Sequence, residues 1–131
     1  MIKQDYLVRM ILEIITLIAK MLLKKEKCQP QLWIEYNSLT EQILGMPSDD
    51  LLDKTPTFIL DRYKEDKNAF GKIELAAMTL LKISDELGND ELLKKSNLRQ
   101  KGIVLLQYVQ THGNTFSIQR VQLLNLLKND L

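Results

Sequence analysis

The sequence predicts an all-α protein, an up-down bundle of about five to seven helices, and three observations carry that reading. Apolar residues recur at three- and four-residue spacing along the whole chain, whereas the two-residue alternation of a strand appears over no useful length. Glycine and proline total eight residues, five and three, and they punctuate the helical segments. The stretch from Asp5 to Lys24 is apolar around most of its circumference. Its polar residues Asp5, Arg9, Glu13, Thr16, Lys20 and Lys24 fall in one wedge of roughly 100°, which leaves about 260° of apolar surface. An ordinary surface helix has the reverse proportions. This helix is therefore expected at the centre of the bundle or against a partner. Its polar line should face solvent, with Leu7, Ile11, Ile14, Leu17, Ile18, Met21 and Leu22 covered by this chain or by another copy.

The elements follow in order. The first helix is expected from about Lys3 to Lys25, with Lys20, Lys24 and Lys25 at its negative dipole end. After a turn around Glu26 to Gln29, Pro30 suits the opening of a second helix. There Leu32, Tyr36, Leu39 and Ile43 recur at helical spacing, with Trp33 and Leu44 beside them, and Gly45 provides a C-terminal cap. These two helices should form an antiparallel hairpin. From Met46 to Asp66 the pattern breaks into short pieces. Ser48 can cap one of them, with Asp49 and Asp50 at its favourable end, and Thr55-Pro56 opens another that carries Phe58, Ile59, Leu60 and Tyr63.

A long helix is expected over Asn68 to Leu87, with Phe70, Ile73, Ala77, Leu80 and Leu87 as its core face and Gly88 as its stop. Asn89 can cap the next helix, which runs to about His112 with Leu98, Gly102, Leu105 and Val109 in one row. Gly102 inside a helix costs about 1 kcal/mol relative to alanine, and a close helix crossing there would compensate. After Gly113, Ser117 should cap a last helix carrying Leu123, Leu124, Leu126 and Leu127. Phe116 and Val121 have the spacing of a hydrophobic staple. The organisation is one helical domain over 1–131: an N-terminal hairpin at 1–45, a short-helix connector at 46–66 and a C-terminal three-helix unit at 67–131. The C-terminal helix hairpins have the rhythm of tetratricopeptide-like arrays, without that family's residue pattern.

The totals bound the function. Eighteen basic and seventeen acidic side chains give a net charge of +1. That near-balance argues against nucleic acid, whose binders usually gather a basic excess on one face. A single cysteine excludes an internal disulfide framework and fits a reducing cytosol. Residues 6–23 have the length of a membrane span, but Arg9, Glu13 and Lys20 lie inside it, each costing on the order of 3 kcal/mol near a bilayer centre. A secretory signal would place its charges before the apolar run, whereas here Lys24, Lys25 and Lys27 follow it. The chain is expected to be cytoplasmic and not bound to membrane.

No catalytic, cofactor-binding or metal-binding residues are expected. Cys28 has lysines nearby but no evident base partner, and His112, the one histidine, suits the C-terminal dipole end of its helix. Zinc spacing, a glycine-rich phosphate loop and the EF-hand pattern are all missing. The acids at Asp49, Asp50 and Asp53, and at Asp85, Glu86, Asp90 and Glu91, sit at helix starts or turns where capping explains them. Lys94, Lys95, Arg99 and Lys101 form the densest basic group. A solvated face explains them more simply than phosphate contact, since interleaved aromatic residues are missing.

The opening M-I-K-Q-D-Y-L-V-R-M-I, with Asp5, Tyr6 and Arg9 as a D-Y-x-x-R element before the apolar helix, resembles a group of small all-helical bacterial proteins with no assigned function. The stretches G-K-I-E-L-A-A-M-T-L-L at 71–81 and N-T-F-S-I-Q-R-V-Q-L-L at 114–124 are similar to relatives in Bacteroides-type bacteria. The resemblance implies a bacterial, all-helical protein and carries over no site residues. What remains is protein surface. The leading expectation is a non-enzymatic interaction or scaffolding module that binds a protein partner or forms a homo-oligomer through helix 3–25. The alternative is a nucleic-acid-binding or regulatory protein using the basic face near 94–101.

Overall fold

The computed structural model describes residues 3–129. Residues 1, 2, 130 and 131 of the expected domain span lie outside them. Seven α-helices and one 3-10 turn make up the described residues, with no strand among them. The helices are α1 (Gln4–Lys24), α2 (Pro30–Leu44), α3 (Ser48–Leu52), α4 (Pro56–Tyr63), α5 (Ala69–Glu86), α6 (Leu92–His112) and α7 (Ile118–Asn129), with the 3-10 turn at Asn89–Glu91 before α6. No described helix is long and apolar enough to cross a membrane.

Local chemistry explains where most of these helices begin and end. Thr55 accepts from the Phe58 backbone N–H at 3.1 Å and precedes Pro56 in the first turn of α4. Gly45, at φ 74°, closes α2 in the left-handed conformation that glycine adopts without strain. Lys25 adopts the same conformation at φ 55° after α1. Ser117 Oγ accepts from the Arg120 N–H at 3.2 Å and caps α7 as expected. Three expected devices are not built. Asn89 does not cap α6: it opens the 3-10 turn, and the residue before α6 is Glu91, with no side-chain cap bond. Phe116 is 76% exposed and so makes no staple. Ser48 caps nothing: it is the first residue of α3, and its N–H donates to Glu41 Oε2 of α2 at 2.7 Å.

The central post of the bundle is α5, not α1 as the apolar circumference suggested. Every residue from Ile73 to Lys82 is buried, and Ser84 as well, and α5 packs against α1, α2, α3, α4 and α6. Its buried polar groups are bonded, as burial demands. Thr79 Oγ1 donates to Leu75 O at 2.8 Å, and Ser84 Oγ donates to Lys95 O at 2.7 Å. Lys82 is bonded to Glu86, with its ammonium 3.9 Å from the Trp33 ring centre. The middle of this helix is surrounded on every side although its sequence is not entirely apolar.

The long helices run up and down. α1 lies parallel to α5, since Gly71 at the start of α5 faces Ile11 and Asp85 near its end pairs with Lys25 at 3.7 Å. α6 returns antiparallel and approaches α5 closely: a β-carbon on Gly102 would lie 2.6 Å from Leu81 Cγ and 3.2 Å from Ala77 O. α7 then runs back along α6 and α1. α1 thus buries Ile11, Ile14, Ile15, Ile18, Ala19 and Leu22 on one side. Asp5, Arg9, Glu13 and Lys20 face solvent, and Thr16 is half-buried. The connector is anchored to α2 by Tyr63, whose O–H donates to Leu44 O at 2.6 Å. Burial pushes this phenol's pKa up, against the lowering effect of Arg62.

Candidate interaction site

At the end of the bundle where α1 and α5 begin and α6 finishes, the helices do not close completely. The N-terminal half of α1, the connection from α4 into α5 and the connection from α6 into α7 leave a half-open cleft of about 520 Å³. Val8, Ile11, Leu12 and Ile15 of α1 form one wall, and Phe70 and Val109 add apolar surface opposite. Val8 and Leu12, at 39% and 56% exposure, form the lip.

The cleft's polar groups come from two ordered clusters. Glu74 lines it, is buried at 8% exposure, and pairs with the still more buried Arg120 of α7. Arg120 Nη1 donates to Glu74 Oε2 at 3.0 Å, Nε donates to Gln110 Oε1 at 2.7 Å, and Nη2 donates to Thr115 O. One guanidinium therefore holds α5, the end of α6 and the α6–α7 connection in register with α7. The second cluster shapes the rim. Asp66 accepts from Lys72 Nζ at 2.7 Å and from the Asn68 N–H at 2.8 Å. Burial alone would raise the Asp66 pKa, but these two donors and the Lys72 charge outweigh it and hold the carboxyl below its ordinary range. Asn68 also exchanges hydrogen bonds with Gln4, at 2.6 and 3.3 Å, which ties the rim to the start of α1. Among the described residues lining the cleft, Lys67 carries the one charge without a partner in the chain.

Of the sequence-predicted site residues, Ile11 lines the cleft and the others lie outside it. Of the expected α1 interface, Ile11, Ile14, Ile18 and Leu22 are buried within this chain, and Leu7, Leu17 and Met21 are half-buried. Four of the seven are core, because α5 and α7 already cover that side of α1. The apolar surface that α1 leaves open is Tyr6, Val8 and Leu12. The basic group is also spent internally. Lys95 Nζ donates to Leu87 O at 2.9 Å, Arg99 Nη2 to Leu127 O at 2.9 Å and Lys101 Nζ to Leu52 O at 2.7 Å. These are carbonyls at or just past the C-terminal ends of α5, α7 and α3, where cations are favoured. Lys94 is exposed and lines a separate groove with Asp49 and Asp53. His112 is exposed, stacked on Tyr108 at 4.5 Å, and Cys28 is half-buried in a turn. Burial lowers the Lys82 pKa by more than nearby Cys28 and Asp85 raise it. Among the described residues, no group of three or more histidines, cysteines or acids could hold a metal ion.

Sequence reasoning missed Glu74 and Arg120. The available signal was a single acid inside the apolar run from Ile73 to Leu81, and a single base in the otherwise uncharged first turns of α7. No family model, curated protein or solved structure matches this chain.

Proposed function

We propose that the protein is a non-enzymatic interaction module that receives part of another polypeptide in the cleft between α1, α5 and the α6–α7 connection. The observation that carries this reading is the exposed apolar lip of Val8 and Leu12 beside a cleft whose volume falls within the usual range for ligand sites. The Glu74–Arg120 pair is engaged in aligning helices, which suits a preorganised recognition surface. A cytoplasmic setting accords with the single cysteine. The nucleic-acid alternative has less support, since three of its four cations already bond carbonyls at helix ends.

A photo-crosslinking amino acid in place of Leu12, expressed in the native cell, tests the reading. It should yield a discrete protein adduct that the same group at Ile34, which is 61% exposed on α2 and outside the cleft, does not. No protein adduct at position 12, or equal adducts at both positions, would reject the proposal.

A further inference from the structure

We infer that the occupant of the cleft is the opposite end of a second copy, so that copies associate head to tail. This rests on the interaction reading above and names its partner. The opposite end is formed where α5 finishes and α6 begins, a helix length of about 27 Å from the cleft. There Leu92 and Leu93 are 59% and 78% exposed, and they directly follow the exposed acids Asp90 and Glu91, which have no ion-pair partner among the described residues. At the other end, the apolar cleft has an exposed lip at Val8 and Leu12, and its one charge without a partner in the chain is the cation Lys67. The two ends are complementary in charge: two acids, outnumbering the neighbouring Lys94, lead exposed leucines on one, and a lysine stands beside an apolar cleft on the other.

Stacked end on end, each copy offers its leucine end to one neighbour and its cleft to another, so the contact is heterologous. It propagates into a ring or an open chain instead of stopping at a two-fold dimer. Neither patch on one copy can reach the other patch of that same copy, because α5 separates them.

Sedimentation velocity on the intact chain, with two exposed-site variants, tests the inference. Wild type should gain mass continuously between about 1 µM and about 1 mM, the range expected of modest interfaces, and the gain should shrink in high salt. Leu93→Asp and Leu12→Asp should each weaken self-association by at least about tenfold, as loss of an interface anchor does. Circular dichroism should show both variants folded. An equimolar mixture of the two should restore a single species of two chains, since the intact Leu93 end of one fits the intact cleft of the other. A wild type that stays monomeric throughout overturns the inference, as does association that both variants retain. Failure of the mixture to pair, after each variant alone has lost association, overturns it too. A monomeric wild type that still gives a heterologous protein adduct at position 12 removes this occupant and leaves the interaction reading standing.

Discussion

Arg120 of α7 and Glu74 of α5, 46 residues apart, meet at 3.0 Å beneath the cleft with 3% and 8% exposure. Removing one member leaves the other buried without its partner, which costs about 3–5 kcal/mol, while replacing both with apolar residues of similar size can be near neutral. Arg120→Met and Glu74→Leu should therefore each destabilise by about that amount. The double variant should be less destabilised than the sum, because neither charge is then stranded. Urea denaturation of all four proteins checks this, and additive single effects would show that the pair is not coupled.

Gly102 is where α6 approaches α5 most closely. An alanine there gains about 1 kcal/mol of helix propensity. It also drives a β-carbon to 2.6 Å from Leu81 Cγ, a buried branch point that cannot swing aside freely. Overpacking of this kind costs about 1–3 kcal/mol. Gly102→Ala should lower stability on balance, and adding Leu81→Val should return part of the loss. A thermal scan in which Gly102→Ala melts higher than wild type would contradict the close crossing.

The basic residues of α6 should separate by what they cap. Lys101→Met removes the donor to Leu52 O and should cost about 0.5–1.5 kcal/mol, the net worth of such a bond. Lys94→Met, at an exposed position, should stay within about 0.5 kcal/mol of wild type. Equal effects in denaturant titrations would remove the capping explanation.

Asp66 links the cleft rim to acid stability. Its folded pKa lies below the ordinary 3.8, so its contribution is fully present above that value and disappears as pH falls through the folded pKa. Wild type should accordingly lose more stability than Asp66→Asn between about pH 5 and about pH 2, the variant having no carboxyl to protonate. Denaturant midpoints measured across that interval give the difference directly. Parallel curves would mean that the Lys72 contact contributes nothing in solution.

Much of the fold was legible because helix punctuation is local chemistry. Pro30, Gly45, the Thr55-Pro56 step and Ser117 act on their immediate neighbours, and each lies where a helix starts or stops. What was hidden depends on partners far away in sequence. α5 carries Glu74, Thr79, Lys82 and Ser84 in its buried face, so its polarity conceals its central position. Two of the four bond within their own helix, while Glu74 needs Arg120 and Ser84 needs Lys95. Conversely, the apolar excess of α1 is real but is divided between a core side and the lip of the cleft. Periodicity gives the width of an apolar face and not what covers it. The cleft, made by three segments brought together only in the folded chain, had no local signature at all.

The packing of α1 also sets an order of events during synthesis. α1 leaves the ribosome before α5 and α7, the helices that enclose Ile11, Ile15, Ile18 and Leu22. Until Leu123, Leu124 and Leu127 have been made, part of that apolar side has only water or α2 beside it. From the emergence of α1 until α7 is made, the nascent chain therefore carries a partly uncovered apolar helix, and the step that covers it is the docking of α7.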